Sequence, residues 1–204
     1  MRKITPLVFT LLLVILLAPC SFSQISYKIS DESTMTITGT STIHDWTSKV
    51  NKILGDAILD QNVVEKKNLK AGIFASSVKI EFPVLSIESQ RGPTMDNKTY
   101  NALKSEEHPN ILFRLDKSEV KSLTNKSTKE FVVTAAGDLT IAGITKKITL
   151  DMNCQKLENN RFSCKGSYPI NMTEYEVVPP TAMFGQIKTG EEVTIDFELI
   201  LFQR

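Results

Sequence analysis

Two histidines, three cysteines and a few neighbouring carboxylates are all this chain offers for acid–base, nucleophilic or metal chemistry. His44 and Asp45 are adjacent. On a strand they point to opposite faces, whereas a base oriented by a carboxylate needs both groups in one pocket. The simpler reading is that His44, Asp45 and Trp46 end a strand and cap one end of the fold. His108 precedes Pro109 and reads as a corner histidine bonded to backbone between a helix and a strand. Neither histidine has cysteine or carboxylate partners at zinc-site spacing. Glu106-Glu107 could form an acid pair, but a solvated helix end explains them more simply. The sequence has no glycine-rich phosphate loop, no G-x-S-x-G elbow and no H-E-x-x-H helix. No catalytic residue, metal or cofactor is therefore expected. Asn97, Asn125 and Asn171 open N-x-S/T sequons, which matter only in a eukaryotic secretory pathway.

The third cysteine belongs to a different segment. Met1-Arg2-Lys3 is followed by an apolar run from Leu7 to Leu17, too short for the ~20 residues that span a bilayer. Small residues follow at Ser21 and Ser23. This is the pattern of an export signal, with cleavage expected before Gln24. The competing reading is a lipoprotein signal at Cys20, in which Pro19 occupies a position that favours a small residue. Cleavage leaves residues 24–204 as one exported domain, in the periplasm or secreted. The whole chain has 24 basic and 23 acidic side chains, a net charge of +1. Loss of Arg2 and Lys3 takes the body to −1. Nothing in this balance suggests nucleic acid.

The body alternates with a period of two, the mark of half-buried strands. Residues 144–154 place Ile144, Ile148, Leu150, Met152 and Cys154 on one face. Residues 162–172 place Phe162, Cys164, Gly166, Tyr168, Ile170 and Met172 together. The last strand does so with Val193, Ile195, Phe197, Leu199 and Leu201. Similar runs lie at 33–43, 72–82, 110–120 and 131–141, and 46–59 reads as a weaker, mixed strand. Ala142-Gly143 and Glu158-Asn159-Asn160 are turns, since Gly and Asn tolerate a positive φ. If the second turn is centred on Asn159, Cys154 lies opposite Cys164 on the inward face. A cross-strand disulfide is then geometrically open and suits an exported protein; the alternative is two buried thiols in contact.

A helix is expected over 94–106, capped by Thr94, with Asp96 in its first turn and Pro109 stopping it. Met95, Tyr100 and Leu103 are spaced to meet a core. Thr173 could cap a short turn before Pro179-Pro180. Ser122 to Lys129 is a polar loop. Seven or eight long antiparallel strands in this length suggest an all-β barrel or sandwich. Strands of about eleven residues span ~35 Å, long for a sandwich, and an eight-stranded barrel can enclose one small ligand. Phe74, Phe82, Phe113, Met152, Phe162, Tyr168, Met183 and Phe184 fall at inward or helix-facing positions. They read either as ordinary core or as the wall of an apolar tunnel.

Four blocks carry a resemblance. Gly39-Thr40-Ser41-Thr42-Ile43-His44-Asp45-Trp46, His108-Pro109-Asn110-Ile111-Leu112-Phe113 and Gly137 through Lys146 resemble motifs of the YceI-like family. So do Met172-Thr173-Glu174-Tyr175 and Pro179-Pro180-Thr181-Ala182 before the last strand. They stand in family order over nearly all of the body, with 51–70 the least matched stretch. The resemblance implies an extended lipocalin-like, eight-stranded antiparallel β-barrel with one or two short helices and a long internal pocket. It also implies exported bacterial relatives that bind polyisoprenoids, including isoprenoid quinones, and that form homodimers in some cases. On that basis Phe74, Val78, Ile80, Phe113, Leu115, Leu139, Ile148, Leu150 and Met152 are expected to line a lipid tunnel, with Trp46 and Tyr100 near it. The implied function is a non-catalytic carrier of an isoprenoid quinone or polyprenyl lipid, with transient membrane contact. The alternatives are an envelope-stress or surface interaction module with a filled core, and an enzyme acting on a lipid head group through His44 or His108.

Overall fold

A computed structural model describes residues 24–65, 72–123 and 130–204. The export segment with Cys20, the sequon at Asn125 and most of the polar loop at 122–129 lie outside the described residues.

Thirteen strands build the fold: β1 (Gln24–Ile29), β2 (Thr34–Ser41), β3 (Trp46–Val50), β4 (Leu54–Asp60), β5 (Gly72–Ile73), β6 (Ala75–Pro83), β7 (Ile87–Ser89), β8 (Asn110–Leu123), β9 (Glu130–Ile141), β10 (Ile144–Lys156), β11 (Phe162–Asn171), β12 (Thr181–Ala182) and β13 (Ile187–Gln203). Helix α1 (Gln61–Glu65) follows β4, and α2 (Pro93–Ala102) lies between β7 and β8. All strand pairs are antiparallel. The order β1-β4-β6-β8-β9-β10-β11-β13 returns to β1, which closes an eight-stranded barrel.

Several of these strands are pieces of longer staves. β1 and β2 both pair with β13, and β4 and β3 pair with β1 and β2 in the same sense. β6 and β7 in turn pair with β4 and β3. The mixed run at 46–59 is thus one stave interrupted at 51–53. The neighbouring interruptions, after Ile29 and at Val84–Ser86, lie beside it in register. Asn51 N–H donates to Ser86 O across two of them at 2.9 Å. Above this level β7 has no strand partner on the β8 side among the described residues, and α2 fills the gap.

Turn chemistry explains the hairpins. Ala142 (φ 48°) and Gly143 (φ 87°) both take the left-handed region between β9 and β10, as a two-residue hairpin requires. Asn159 and Asn160 do the same between β10 and β11, and the register pairs Cys154 with Cys164. The two form a disulfide, with Cα atoms 4.1 Å apart.

Three local expectations are corrected. Thr94 does not cap α2: Gly92, at φ 79°, is the N-cap and Pro93 opens the helix, where its missing N–H costs nothing. The helix ends at Ala102, because Lys104 turns left-handed at φ 52° well before Pro109. The short turn at Met172–Tyr175 is capped by Asn171, whose Oδ1 accepts from Thr173 N–H at 3.0 Å. Helix α1 stands where no helix is expected from the sequence.

Candidate functional site

The inward column of β9 shows how the barrel keeps space inside. Phe131, Val133, Ala135, Leu139 and Ile141 are buried on one face. The large residues stand at its ends, and Ala135 and Gly137 occupy the middle. Ala75 and Ser118 are small inward residues on β6 and β8. On β11 a Cβ at Gly166 would lie 2.5 Å from Phe197 Cζ, so the missing side chain gives the Phe197 ring its place. Small residues at mid-height prevent the opposing walls from meeting.

The resulting inner chamber has a volume of about 160 Å³ and a wholly apolar exposed surface. All nine residues expected to line a tunnel are on its wall: Phe74, Val78, Ile80, Phe113, Leu115, Leu139, Ile148, Leu150 and Met152. Of its two polar side chains, Ser118 and Tyr168, the serine is spent locally. Ser118 Oγ accepts from Ala75 N–H at 2.8 Å and donates to Ala75 O at 2.9 Å. No polar atom is exposed on its surface to hold water.

Aromatic rings block the chamber's far end. Phe74 on the wall packs against Phe131 and Phe162, with centroids 5.7 and 6.1 Å away. Tyr27 adds an edge contact to Phe162 at 5.8 Å. Tyr27, Phe131 and Phe162 are almost completely buried. Full burial of each such side chain contributes about 1.5–3 kcal/mol, and edge-to-face contacts add about 0.5–1.5 kcal/mol per pair. The Cys154–Cys164 disulfide sits at the same level, with Cys164 reaching the chamber wall.

At the opposite end a second chamber of about 380 Å³ opens to solvent. The two chambers share six lining residues, and all six are isoleucine: Ile37, Ile87, Ile111, Ile141, Ile170 and Ile195. Each comes from a different strand, and β-branching makes each stiff at χ1. They form a collar between the chambers.

The outer chamber is amphipathic. Met95, Thr99, Ala102 and Leu103 at α2 and its C-terminal end form part of its wall. Three bonds around the helix fix its place: Asp96 Oδ1 accepts from Ser89 N–H at 2.7 Å, Tyr100 Oη donates to Ile87 O at 3.0 Å, and Lys98 Nζ donates to Thr181 O at 2.9 Å. Tyr100 therefore packs behind the wall and lines neither chamber. Burial pushes its phenol above its ordinary range, with Asp96 and Glu88 adding to the effect. Trp46 does line the outer chamber. Its indole N–H donates to Thr40 O at 3.0 Å, and its ring lies over Gly39, where a Cβ would be 2.4 Å away.

His44, Asp45 and Arg91 stand at the mouth. His44 Nδ1 is 2.9 Å from Asp45 O, and Nε2 is 2.7 Å from Arg91 Nη2. Arginine can only donate, so Nε2 accepts and Nδ1 carries the proton. His108 is elsewhere, its ring against Gly143 at the β9–β10 turn. The two histidines thus do not converge on one pocket. Among the described residues no group of His, Cys, Asp or Glu is arranged to hold a metal.

Met183 and Phe184 depart from the expected inward placement. Both are exposed, in a turn where their φ values are 51° and 57°. Ile43 and Val178 are exposed as well. All four are within three residues of mouth-lining positions in their own segments. An apolar fringe therefore borders the opening, and only its position beside Pro179-Pro180 signalled in the sequence that this stretch is not strand.

The YceI-like domain model matches residues 23–201. The chain belongs to the YceI-like family. Its fold is similar to that of Burkholderia cenocepacia BcnA, with a TM-score of 0.62 at 16% identity over 84% of this chain and 98% of that one. It is also similar to a polyisoprenoid binding domain from Saccharophagus degradans implicated in plant cell wall breakdown. That match has a TM-score of 0.64 at 11% identity, over 88% of this chain and 99% of that one. No curated protein matches the chain by sequence. The YceI-like barrel, with one closed antiparallel sheet and two helices, is the architecture expected from the alternation and the motifs.

Proposed function

We propose that this protein is a non-catalytic, periplasmic carrier of a polyisoprenoid, such as an isoprenoid quinone or polyprenyl lipid, or of a similar long amphiphile. The observation that carries the reading is the polarity of the two chambers. The inner one exposes no polar surface, while the outer one has hydroxyls, His44, Asp45 and Arg91 within reach of solvent. An amphiphile fits in one sense only, with its tail through the isoleucine collar and its head group at the mouth. Each buried methylene contributes about 0.8 kcal/mol, so a long tail provides enough gross energy to offset the cost of association without a sharp polar motif. The likeness of the fold to a polyisoprenoid binding domain from Saccharophagus degradans supports the same class of ligand. Membrane contact belongs to the reading: the apolar fringe at the mouth suits a carrier that collects its cargo from a bilayer.

A surface module with a filled core needs a packed interior, and the two chambers argue against it. The deciding experiment is to purify the exported protein without detergent, extract it with organic solvent and identify the extract by mass spectrometry. The expected result is a stoichiometric isoprenoid lipid. A protein that emerges empty and takes up no isoprenoid overturns the proposal.

A further inference from the structure

We infer that the aromatic floor is a ruler for tail length, with Phe74 as the residue that sets the limit. This rests on the lipid-binding reading above and adds the determinant of specificity within it. The floor is closed by packing, not by a polar group. Phe74 is the only ring of the four that reaches the inner chamber wall, and Phe131, Phe162 and Tyr27 back it with almost no exposure of their own. A tail that arrives at Phe74 meets a ring that cannot retreat, because the edge-to-face contacts behind it are already made.

The depth available is fixed by the register. From the collar to the floor there are six residue-to-residue steps on β11, from Ile170 to Cys164, and six on β13, from Ile195 to Leu201. Six steps cover about 20 Å at ~3.3 Å each, or about 15 Å along the axis of a barrel whose strands tilt by ~40°. Carbons beyond this depth must stay in the outer chamber or in water, where they add no further burial. Affinity should therefore rise with tail length and stop rising at a definite carbon number. Ala135, on β9 and in register with Ser118 on the wall of the same chamber, is the place where added bulk would shorten that depth.

The test uses straight-chain primary alcohols of increasing length as probes, with Trp46 as reporter, since it is the chain's only tryptophan and lines the outer chamber. Wild type, Phe74→Ala, Phe74→Leu and Ala135→Leu are titrated after thermal melts show that each is folded. Phe74→Ala empties the space of one ring and leaves an apolar cavity, so it should move the cut-off longer by a few carbons. Phe74→Leu should move it less in the same direction, and Ala135→Leu should shorten it. One common cut-off in the folded variants overturns the ruler while leaving lipid binding intact. Failure of the wild type to take up any alcohol or isoprenoid overturns the lipid-binding reading itself.

Discussion

Cys154 and Cys164 face each other in the register of one hairpin and are joined across it, ten residues apart in sequence. Both are buried beside the aromatic floor. In the chain-entropy model, closing a loop of this size stabilises the fold by about 2–3 kcal/mol. The double variant Cys154→Ala/Cys164→Ala removes the link without burying a new polar group. At about 2–4 °C per kcal/mol for a chain of this size, its melting temperature should fall by about 5–10 °C in a calorimetric scan. A change within a degree or two would mean that the hairpin is already constrained in the unfolded chain. Mass spectrometry of unreduced, alkylated wild type should find no free thiol at either position.

The same pair illustrates what the sequence made legible. Period-two alternation and two asparagines at the turn were enough to set the register, because a slip of one residue would turn every side chain to the wrong face. Phe74, Val78, Ile80 and the other wall residues followed from the same rule together with the family resemblance. The chamber itself was less visible. Its cause is the small size of Ala75, Ser118, Ala135 and Gly137, and an alternation pattern scores Ala and Gly weakly on either side. A run of small inward residues flanked by Phe131 and Leu139 was the available signal. The helix limits were missed because Gly92 and Lys104 act through backbone conformation, which a capping rule based on Thr94 does not see. Met183 and Phe184 were placed inward by hydrophobicity alone, which says nothing about a turn beside Pro179-Pro180.

A pH dependence follows from Glu198. Ser163, which is buried, donates to Glu198 Oε1 at 2.8 Å, and Lys165 lies 3.2 Å from Oε2. The Ser163 hydrogen bond, with help from Lys165, holds the Glu198 carboxyl below its ordinary range despite some burial. A carboxylate whose folded pKa is depressed contributes stability that is complete above its unfolded pKa. That stability is lost as pH falls through the folded value. Urea unfolding of wild type should therefore show a loss of stability on acidification in the carboxylate range. Ser163→Ala should flatten that loss, and an NMR titration should show the Glu198 carboxyl returning toward its usual pKa. An unchanged Glu198 titration in Ser163→Ala would remove the hydroxyl as the cause.

Tyr27 offers a test in the stabilising direction. Its ring is fully buried, and among the described residues its hydroxyl has no hydrogen-bond partner. Burial pushes the phenol up to about 12. A buried hydroxyl without a partner carries its desolvation cost uncompensated, about 1–3 kcal/mol. Tyr27→Phe keeps the ring against Phe162 and removes that cost. Its midpoint in urea should rise, or at least not fall, with an unchanged m-value. A loss of more than about 1 kcal/mol would show that the hydroxyl makes a hydrogen bond in solution.

The fringe at the mouth predicts a separation between holding a lipid and collecting one. Ile43, Val178, Met183 and Phe184 are exposed around the opening and belong to neither the collar nor the floor. Phe184 is held out by a left-handed turn at φ 57°, a conformation that costs a non-glycine residue about 1–2 kcal/mol, and its ring is fully exposed. Carrying a tail through water exposes every methylene at about 0.8 kcal/mol each, so uptake from a bilayer is fastest when the mouth is pressed against the membrane. Phe184→Ser and Ile43→Ser together should leave the affinity for a short, soluble prenyl alcohol within a factor of two or so, a difference of less than about 0.5 kcal/mol. The rate of uptake of a long isoprenoid from phosphatidylcholine vesicles should fall by about ten-fold, the equivalent of 1.4 kcal/mol of lost contact in the transfer step. Equal loss in both assays would place these side chains in the binding site, and no loss in either would leave the fringe without a role in transfer. The uncharged vesicle matters to the design, because Arg91 and Asp45 at the mouth carry opposite charges and a charged surface would mix their effect with that of the apolar contact.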